Sequence, residues 1–533
     1  MLYFKNRKYG TQNFAKIVLR RNLYCILIIV LSTILGSCNK KTANPNKNIT
    51  IDAFSKMKMQ GYSVRSYHIR GQIDSLCKYD KDSTVTDYRV RSYYLNRKPF
   101  LWIDRNGIDK RVDTLLVYLS KVEDMGFTEK SFSVKKIRYD VERVRHLDFD
   151  SINDINTVLA RLEYRLTKAY LRYVTGQRFG FVNPAYLFNK QDILEKDSNH
   201  ISYRKLYDVR MQHPGKKFFS LALKEIGSGS LTIFLKKVQP TNHHYYELKS
   251  RLHQVNIQSE RLKIMCNMER YRWRVKQVVP ENGKYILVNI PAYKLYAIDG
   301  SNVLSMRIGC GAPKTKTPLL SSNIFRMDVN PRWVVPMSIV KKDISRHAGN
   351  NAYFDKRNMF ITYKKTGEKI NVAKVTTSML LGGDYRVIQE GGEGNSLGRI
   401  IFRFPNSFSV YLHDTSSKEV FDRYDRGISH GCVRVEQPFN LAKFILGDND
   451  KKLLDNIKAA MGLDDEGLKN EDLNNENVPK KRVKMRTVNV KPQIPLFITY
   501  YTLYKDESGA FESYPDVYGY DREISDAIKP FMK

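Results

Sequence analysis

Tyr411-Leu412-His413-Asp414, followed downstream by Ser429-His430-Gly431-Cys432-Val433-Arg434-Val435, decides how the rest of this chain is read. A thiol becomes a strong nucleophile only when a base takes its proton, and a carbonyl under attack needs donors for the developing oxyanion. The two segments hold candidates for every part. Phe408 to His413 alternates in polarity, so as a strand it carries Ser409, Tyr411 and His413 on one face and Phe408, Val410 and Leu412 toward a core. Cys432 and Arg434 share a face of the next extended piece, with Val433 and Val435 buried behind them. Gly431 admits close approach to the backbone, so its N–H and that of Cys432 can point at an oxyanion. The expected site is a Cys–His nucleophilic pair on adjacent strands, Cys432 attacking and His413 serving as base. His430 competes for the base role, and a buried structural cysteine is the bland alternative.

This order of His, then Ser-His-Gly-Cys and an apolar residue, resembles the signature of the L,D-transpeptidases, peptidoglycan cross-linking enzymes with a cysteine nucleophile on a β-rich domain. The likeness extends to Ile286-Leu287-Val288-Asn289-Ile290-Pro291, Asn330-Pro331-Arg332-Trp333-Val334-Val335-Pro336, Gly394-Asn395-Ser396-Leu397-Gly398-Arg399, Phe404-Pro405-Asn406 and Tyr411 to Thr415, which resemble the large, multidomain subfamily. The resemblance implies an α+β chain: a mostly helical N-terminal scaffold domain, then a β-rich catalytic domain with a lid insertion. It implies that Cys432 attacks the third residue of a peptidoglycan tetrapeptide stem, expels D-alanine and passes the acyl group to a second stem as a 3→3 cross-link. Gly431 and His430 support the nucleophile. Tyr411, Arg434, Trp333, Asp414 and Ser429 make up the expected substrate-binding set, each with a second reading. Tyr411 contacts oxyanion or substrate, or packs. Arg434, where shorter relatives carry Asn, grips a stem carboxylate through its planar fork or braces the cysteine loop. Trp333 lines the cleft or sits in the core, Asp414 orients His413 by carbonyl or side chain, and Ser429 holds the turn. The alternatives are an L,D-carboxypeptidase, attachment of another amine, or a non-catalytic wall-binding lipoprotein, which acylation by a carbapenem would exclude.

With 533 residues, 42% of them hydrophobic and 12% aromatic, the chain is long enough for two or three domains with real cores, and general disorder is excluded. The net charge of +35 fits a polyanionic partner. No zinc finger, RNA-recognition signature or basic helical region is visible, so no nucleic-acid partner is expected. A carboxylate-rich wall polymer or an anionic lipid surface fits better. Lys16, Arg20 and Arg21 precede an apolar run from Leu23 to Leu35, too short to span a bilayer comfortably. It ends in Leu35-Gly36-Ser37-Cys38, which resembles a bacterial lipoprotein cleavage site with Cys38 as the lipidated residue. The expectation is export to the cell envelope and a lipid anchor on the periplasmic face of a membrane. Cys77, Cys266 and Cys310 cannot all pair, leaving a Cys77–Cys266 or Cys266–Cys310 bridge or, by default, buried free thiols. His413, His430 and Cys432 are legitimate zinc ligands but lack a fourth and any metal-binding spacing, so no metal and no cofactor is expected.

Along the chain, residues 1–37 read as a signal peptide and 38–85 as a tether and entry segment. Residues 86–268 read as the helical scaffold. Within it Val112, Leu115, Leu116, Leu119 and Val122 form a stripe stopping before Gly126, and Ile155, Leu159, Leu162, Leu166, Ala169 and Tyr173 form another ending at Gly176. Residues 269–462 read as the catalytic domain, with a long polar lid at about 344–394. In it Ile400, Phe402 and Phe404 alternate with Arg399, Ile401 and Arg403, and Pro438 to Gly447 reads as a short helix. Residues 463–490 read as a mobile loop and 491–533 as a returning strand and tail. The small wall-binding repeat carried by many relatives is missing, so localisation falls to the lipid, the basic surface or a wall-synthesis protein partner.

Overall fold

The computed structural model describes residues 64–104, 107–196, 200–277, 283–447, 450–463, 487–505 and 508–532. The signal segment, Cys38 and nearly all of the loop expected at 463–490 lie outside them. Among the described residues no helix is long and apolar enough to cross a membrane. The chain divides into two compact units. One consists of Ile103–Ile108, Lys136–Glu163 and the described residues up to Tyr79. The other takes Asp80–Trp102, Asp109–Lys135 and everything from Tyr164 onward.

In the first unit, Ser66–Tyr79 is a helix, not part of a tether. Ile69, Ile73 and Cys77, four residues apart, are its buried stripe, a pattern hidden among polar neighbours. The scaffold helices Arg111–Leu119 (α1) and Ile155–Phe179 (α2) follow the two expected stripes. The first continues as a 3₁₀ turn and closes on Gly126 in the left-handed conformation. The second runs past Gly176, because a side chain there would strike the Phe181 ring, and the missing Cβ is used for packing instead of for a stop. Tyr207–Asp208 (β1) leads toward Gln258–Arg272 (α3), whose C-terminal end is buried all round. There Arg272 pairs with Glu269 at 3.0 Å and lies over the Tyr245 ring, which balances the burial of its charge.

The β-rich part begins with Lys284–Asn289 (β2), Lys294–Asp299 (β3), Asn302–Gly311 (β4) and Leu319–Val329 (β5). A separate group follows: Trp333–Val334 (β6), Met359–Tyr363 (β7), Lys369–Ile370 (β8) and Tyr385–Gln389 (β9). The chain then returns through Ile400–Arg403 (β10), Leu412–His413 (β11), Gly427–Ser429 (β12), Val433–Val435 (β13), helix Pro438–Leu446 (α4), Thr487–Thr499 (β14) and helix Tyr520–Ile528 (α5). The main sheet runs β10-β11-β13-β4-β3-β2-β14-β5-β1, and β10 also pairs with β5, so the pairings close on themselves. Closure explains why Ile400, Ile401 and Phe402 are all buried where alternation was expected: both faces of β10 are covered. The returning strand begins at Thr487, inside the stretch expected as a loop, and β14 lies between β2 and β5.

The second group occupies the stretch expected as a lid, and it begins at Trp333, not near Ile344. Its strands form their own sheet in the order β6-β9-β7-β8 around a core of Val335, Val340, Ile344, Phe354, Met359, Ile361, Val375, Leu380 and Val387. These apolar residues are spread singly over short elements, so the stretch reads as polar. Its neck is tied by Asn395, whose amide donates to the carbonyls of Glu390 (2.7 Å) and Pro331 (3.3 Å). Phe354→Ala, which empties the centre of this core at a typical cost of about 3–5 kcal/mol, should strip hydrogen-exchange protection from β7 and β9 while β2 and β14 keep theirs. Equal loss in both sheets would mean that the second group has no stability of its own.

Candidate active site

Cys432 stands between β12 and β13. Strand β13 runs parallel to β11, with Leu412 opposite Val433 and His413 opposite Arg434. Val433 donates its N–H to the Tyr411 carbonyl at 3.1 Å, so Tyr411 is the residue across from Cys432 and His413 lies diagonally beyond it. Only Leu412 and His413 join the ladder. The expected strand from Phe408 is broken because Ser409 is left-handed (φ 56°), so Ser409 does not share the face of Tyr411 and His413. Asn406 Oδ1 accepts from the N–H groups of Phe408 (3.0 Å) and Val410 (3.2 Å) and closes the turn locally.

His413 is buried, and its Nδ1–H donates to the Asp414 carbonyl, which sets the tautomer and leaves Nε2 as the basic nitrogen. Burial pushes the ring down to about 4 and the Arg434 charge adds to this, while the carbonyls of Asp414 and Leu397 pull the other way. Burial raises the Cys432 thiol; the Tyr411 N–H and hydroxyl, then Arg434 and Arg403, oppose the rise. At neutral pH the resting pair is therefore neutral imidazole and thiol. No hydrogen bond joins them among the described residues, a common state before substrate arrives. Burial also pushes the Tyr411 phenol up, so it stays protonated as a donor; the Trp333 indole hydrogen-bonds it and the Arg403 guanidinium lies 5.5 Å from its ring.

The backbone around Cys432 is held from both sides. Gly431 takes φ 122°, a conformation side chains rarely adopt. Its N–H donates to Ser429 Oγ at 3.0 Å, and Ser429 Oγ donates to the Cys432 carbonyl at 2.6 Å. From the facing turn, Thr315 Oγ1 donates to the Ser429 carbonyl (2.7 Å) and Thr317 Oγ1 to the Gly431 carbonyl (2.9 Å). No acceptor meets the Cys432 N–H among the described residues.

Residues 283–467 match the L,D-transpeptidase catalytic domain, and residues 88–252 match the Scaffold domain. The chain carries an L,D-transpeptidase catalytic domain preceded by a Scaffold domain. It is 26% identical over 358 residues to the Haemophilus influenzae protein named "Putative L,D-transpeptidase", covering 65% of this chain and 68% of that one. A solved structure, Mycobacterium tuberculosis L,D-transpeptidase 1, aligns with 43% of this chain and 76% of its own at 10% identity, with a TM-score of 0.16.

In this L,D-transpeptidase domain the fold gathers Cys432, Tyr411, His413, Arg434 and Trp333. Arg434 makes no salt bridge among the described residues, and its Nε is buried without a partner. Three expectations are corrected. The Gly431 N–H is already bound to Ser429, so it is not an open oxyanion donor. The Asp414 carboxylate is buried and accepts from the Arg399 N–H (2.8 Å) and Lys418 Nζ (2.5 Å), so it is not free for substrate; its carbonyl is the group that orients His413. His430 is exposed and its Nε2 lies 4.0 Å from the Asp343 carboxylate, facing the stretch expected as a lid. Thr315 and Thr317 were missed. The turn-rich run Gly311 to Pro318 was their only signal, and nothing local says that its hydroxyls reach a loop more than a hundred residues away. Because His413 titrates near 4 and not near 6.5, it remains a neutral base down to mildly acidic pH. Cys432 acylation should therefore hold its rate from neutrality to about pH 5. An acid limb centred on the ordinary histidine range would show that another group is the base.

Proposed function

We propose that this enzyme cross-links peptidoglycan stems through a thioester on Cys432. The observation that carries the reading is the joining of a braced, half-buried Cys432 to a buried neutral His413 and an unpaired Arg434 across one pair of parallel strands. His413 takes the Cys432 proton as sulfur attacks the carbonyl of the third stem residue. The Cys432 N–H and the Tyr411 hydroxyl are the donors best placed for the oxyanion. Collapse breaks the bond to the terminal D-alanine, which leaves with the proton held by His413, and a thioester remains. The side-chain amine of a second stem then gives a proton to His413, attacks the thioester and returns the thiolate, forming the 3→3 bond. Arg434 receives a stem carboxylate. The strongly basic composition supports an anionic wall substrate. Leu35-Gly36-Ser37-Cys38 supports export and lipid attachment at Cys38, holding the enzyme on the periplasmic face of a membrane.

The test is mass analysis of disaccharide-tetrapeptide incubated with the purified full-length protein. The expected product is a cross-linked dimer lacking one alanine. Free tripeptide alone would make the enzyme a carboxypeptidase. Cys432→Ala should abolish every product, and His413→Ala should slow product formation by roughly 10²–10⁴; turnover that survives Cys432→Ala would remove the thioester from this reading.

A further inference from the structure

A chain of hydrogen bonds, buried at both ends and half-buried at Asp516 and Asp521, reaches the nucleophile loop from residues outside both family matches. It begins on α3, where Arg270 Nη1 pairs with Asp521 Oδ1 at 2.5 Å. Thr502 Oγ1 accepts from the Asn267 amide at 2.7 Å and donates to Asp521 Oδ2 at 2.6 Å. The Asp521 N–H donates to Asp516 Oδ2 at 3.0 Å, and Asp516 Oδ1 accepts from the Tyr500 hydroxyl at 2.7 Å. The Tyr500 hydroxyl in turn accepts the Tyr518 N–H at 2.8 Å. The Tyr518 hydroxyl closes the neck of the 311–317 turn, donating to the Gly311 carbonyl at 2.6 Å and accepting the Thr317 N–H at 3.1 Å. Thr317 Oγ1 accepts from the Gly311 N–H at 2.8 Å and donates to the Gly431 carbonyl, one residue from Cys432.

Asn267, Thr317 and Thr502 are fully buried and Tyr518 nearly so, so water cannot replace a lost partner cheaply. We propose that Tyr518 is a positioning residue for Cys432: its phenol fixes the 311–317 turn, and Thr317 passes that setting to the Gly431 carbonyl. The C-terminal tail thereby becomes a strut between helix α3 and the nucleophile, and the catalytic domain depends on residues well beyond 467. The inference rests on Cys432 being the acylated group.

The test uses full-length wild type, Tyr518→Phe, Thr317→Val and the double variant, each acylated by a carbapenem in single-turnover experiments read by intact mass, with melting curves alongside. Tyr518→Phe should slow the acylation step about 10-fold or more, since small displacements of a reacting group are costly, with no change in non-covalent binding. Because both substitutions cut one chain, the double variant should be within about threefold of the slower single variant. Acylation of Tyr518→Phe at the wild-type rate, or losses that multiply in the double variant, would overturn the proposal. If Tyr518→Phe does not fold, Tyr500→Phe, which removes the acceptor of the Tyr518 N–H, is held to the same outcomes. Wild-type label that falls on a residue other than Cys432 would take down the nucleophile reading and this one with it.

Discussion

The parallel pairing of β11 with β13 is the constraint on which the rest of the site depends. Two residues on each strand suffice to set Tyr411 across from Cys432 and His413 across from Arg434. Such short strands cannot hold register by themselves. Register comes instead from β4 on the far side of β13, from β10 on the far side of β11, and from closure of the sheet through β5. A slip of one residue would turn the thiol into the core and bring Val433 to the cleft.

Burial then shapes the chemistry. It drives His413 toward neutrality and keeps the Cys432 thiol protonated, so the resting site carries no ion pair to be screened or quenched. The Arg434 guanidinium makes no salt bridge among the described residues, although the Glu419 carboxylate acts on it through space. The guanidinium's influence acts in the same direction on both groups, lowering the thiol and the imidazole alike, which favours loss of a proton from each. Trp333 connects this arrangement to the separate four-stranded sheet, because the residue begins β6 and its indole hydrogen-bonds the Tyr411 hydroxyl.

Much of this was legible in the sequence, for identifiable reasons. Cys432, His413, Tyr411 and Arg434 could be placed on facing strands because alternation is a local signal, and the helical stripes of α1 and α2 repeat over several turns. What could not be read depends on distant partners or on single residues inside a pattern. One left-handed serine ends the strand expected from Phe408. Gly176 looks like a helix stop until the Phe181 ring is seen against it. The core of the four-stranded sheet is made of isolated apolar residues with no period. The hydroxyls of Thr315 and Thr317 acquire meaning only when β4 and β12 lie side by side. His430 illustrates the opposite error: its nearness in sequence to Cys432 suggested a share in the chemistry, yet its ring faces Asp343.

The account turns on a covalent intermediate at Cys432, and the most direct measurement is the intact mass of the full-length protein mixed with a tetrapeptide donor whose side-chain amine is acetylated, so that no acceptor is present. It predicts a mass gain equal to the donor minus alanine, localised to the peptide containing Cys432 and released by hydroxylamine as a thioester should be. Product formation with no such adduct, or an adduct resistant to hydroxylamine or located on another residue, would contradict it.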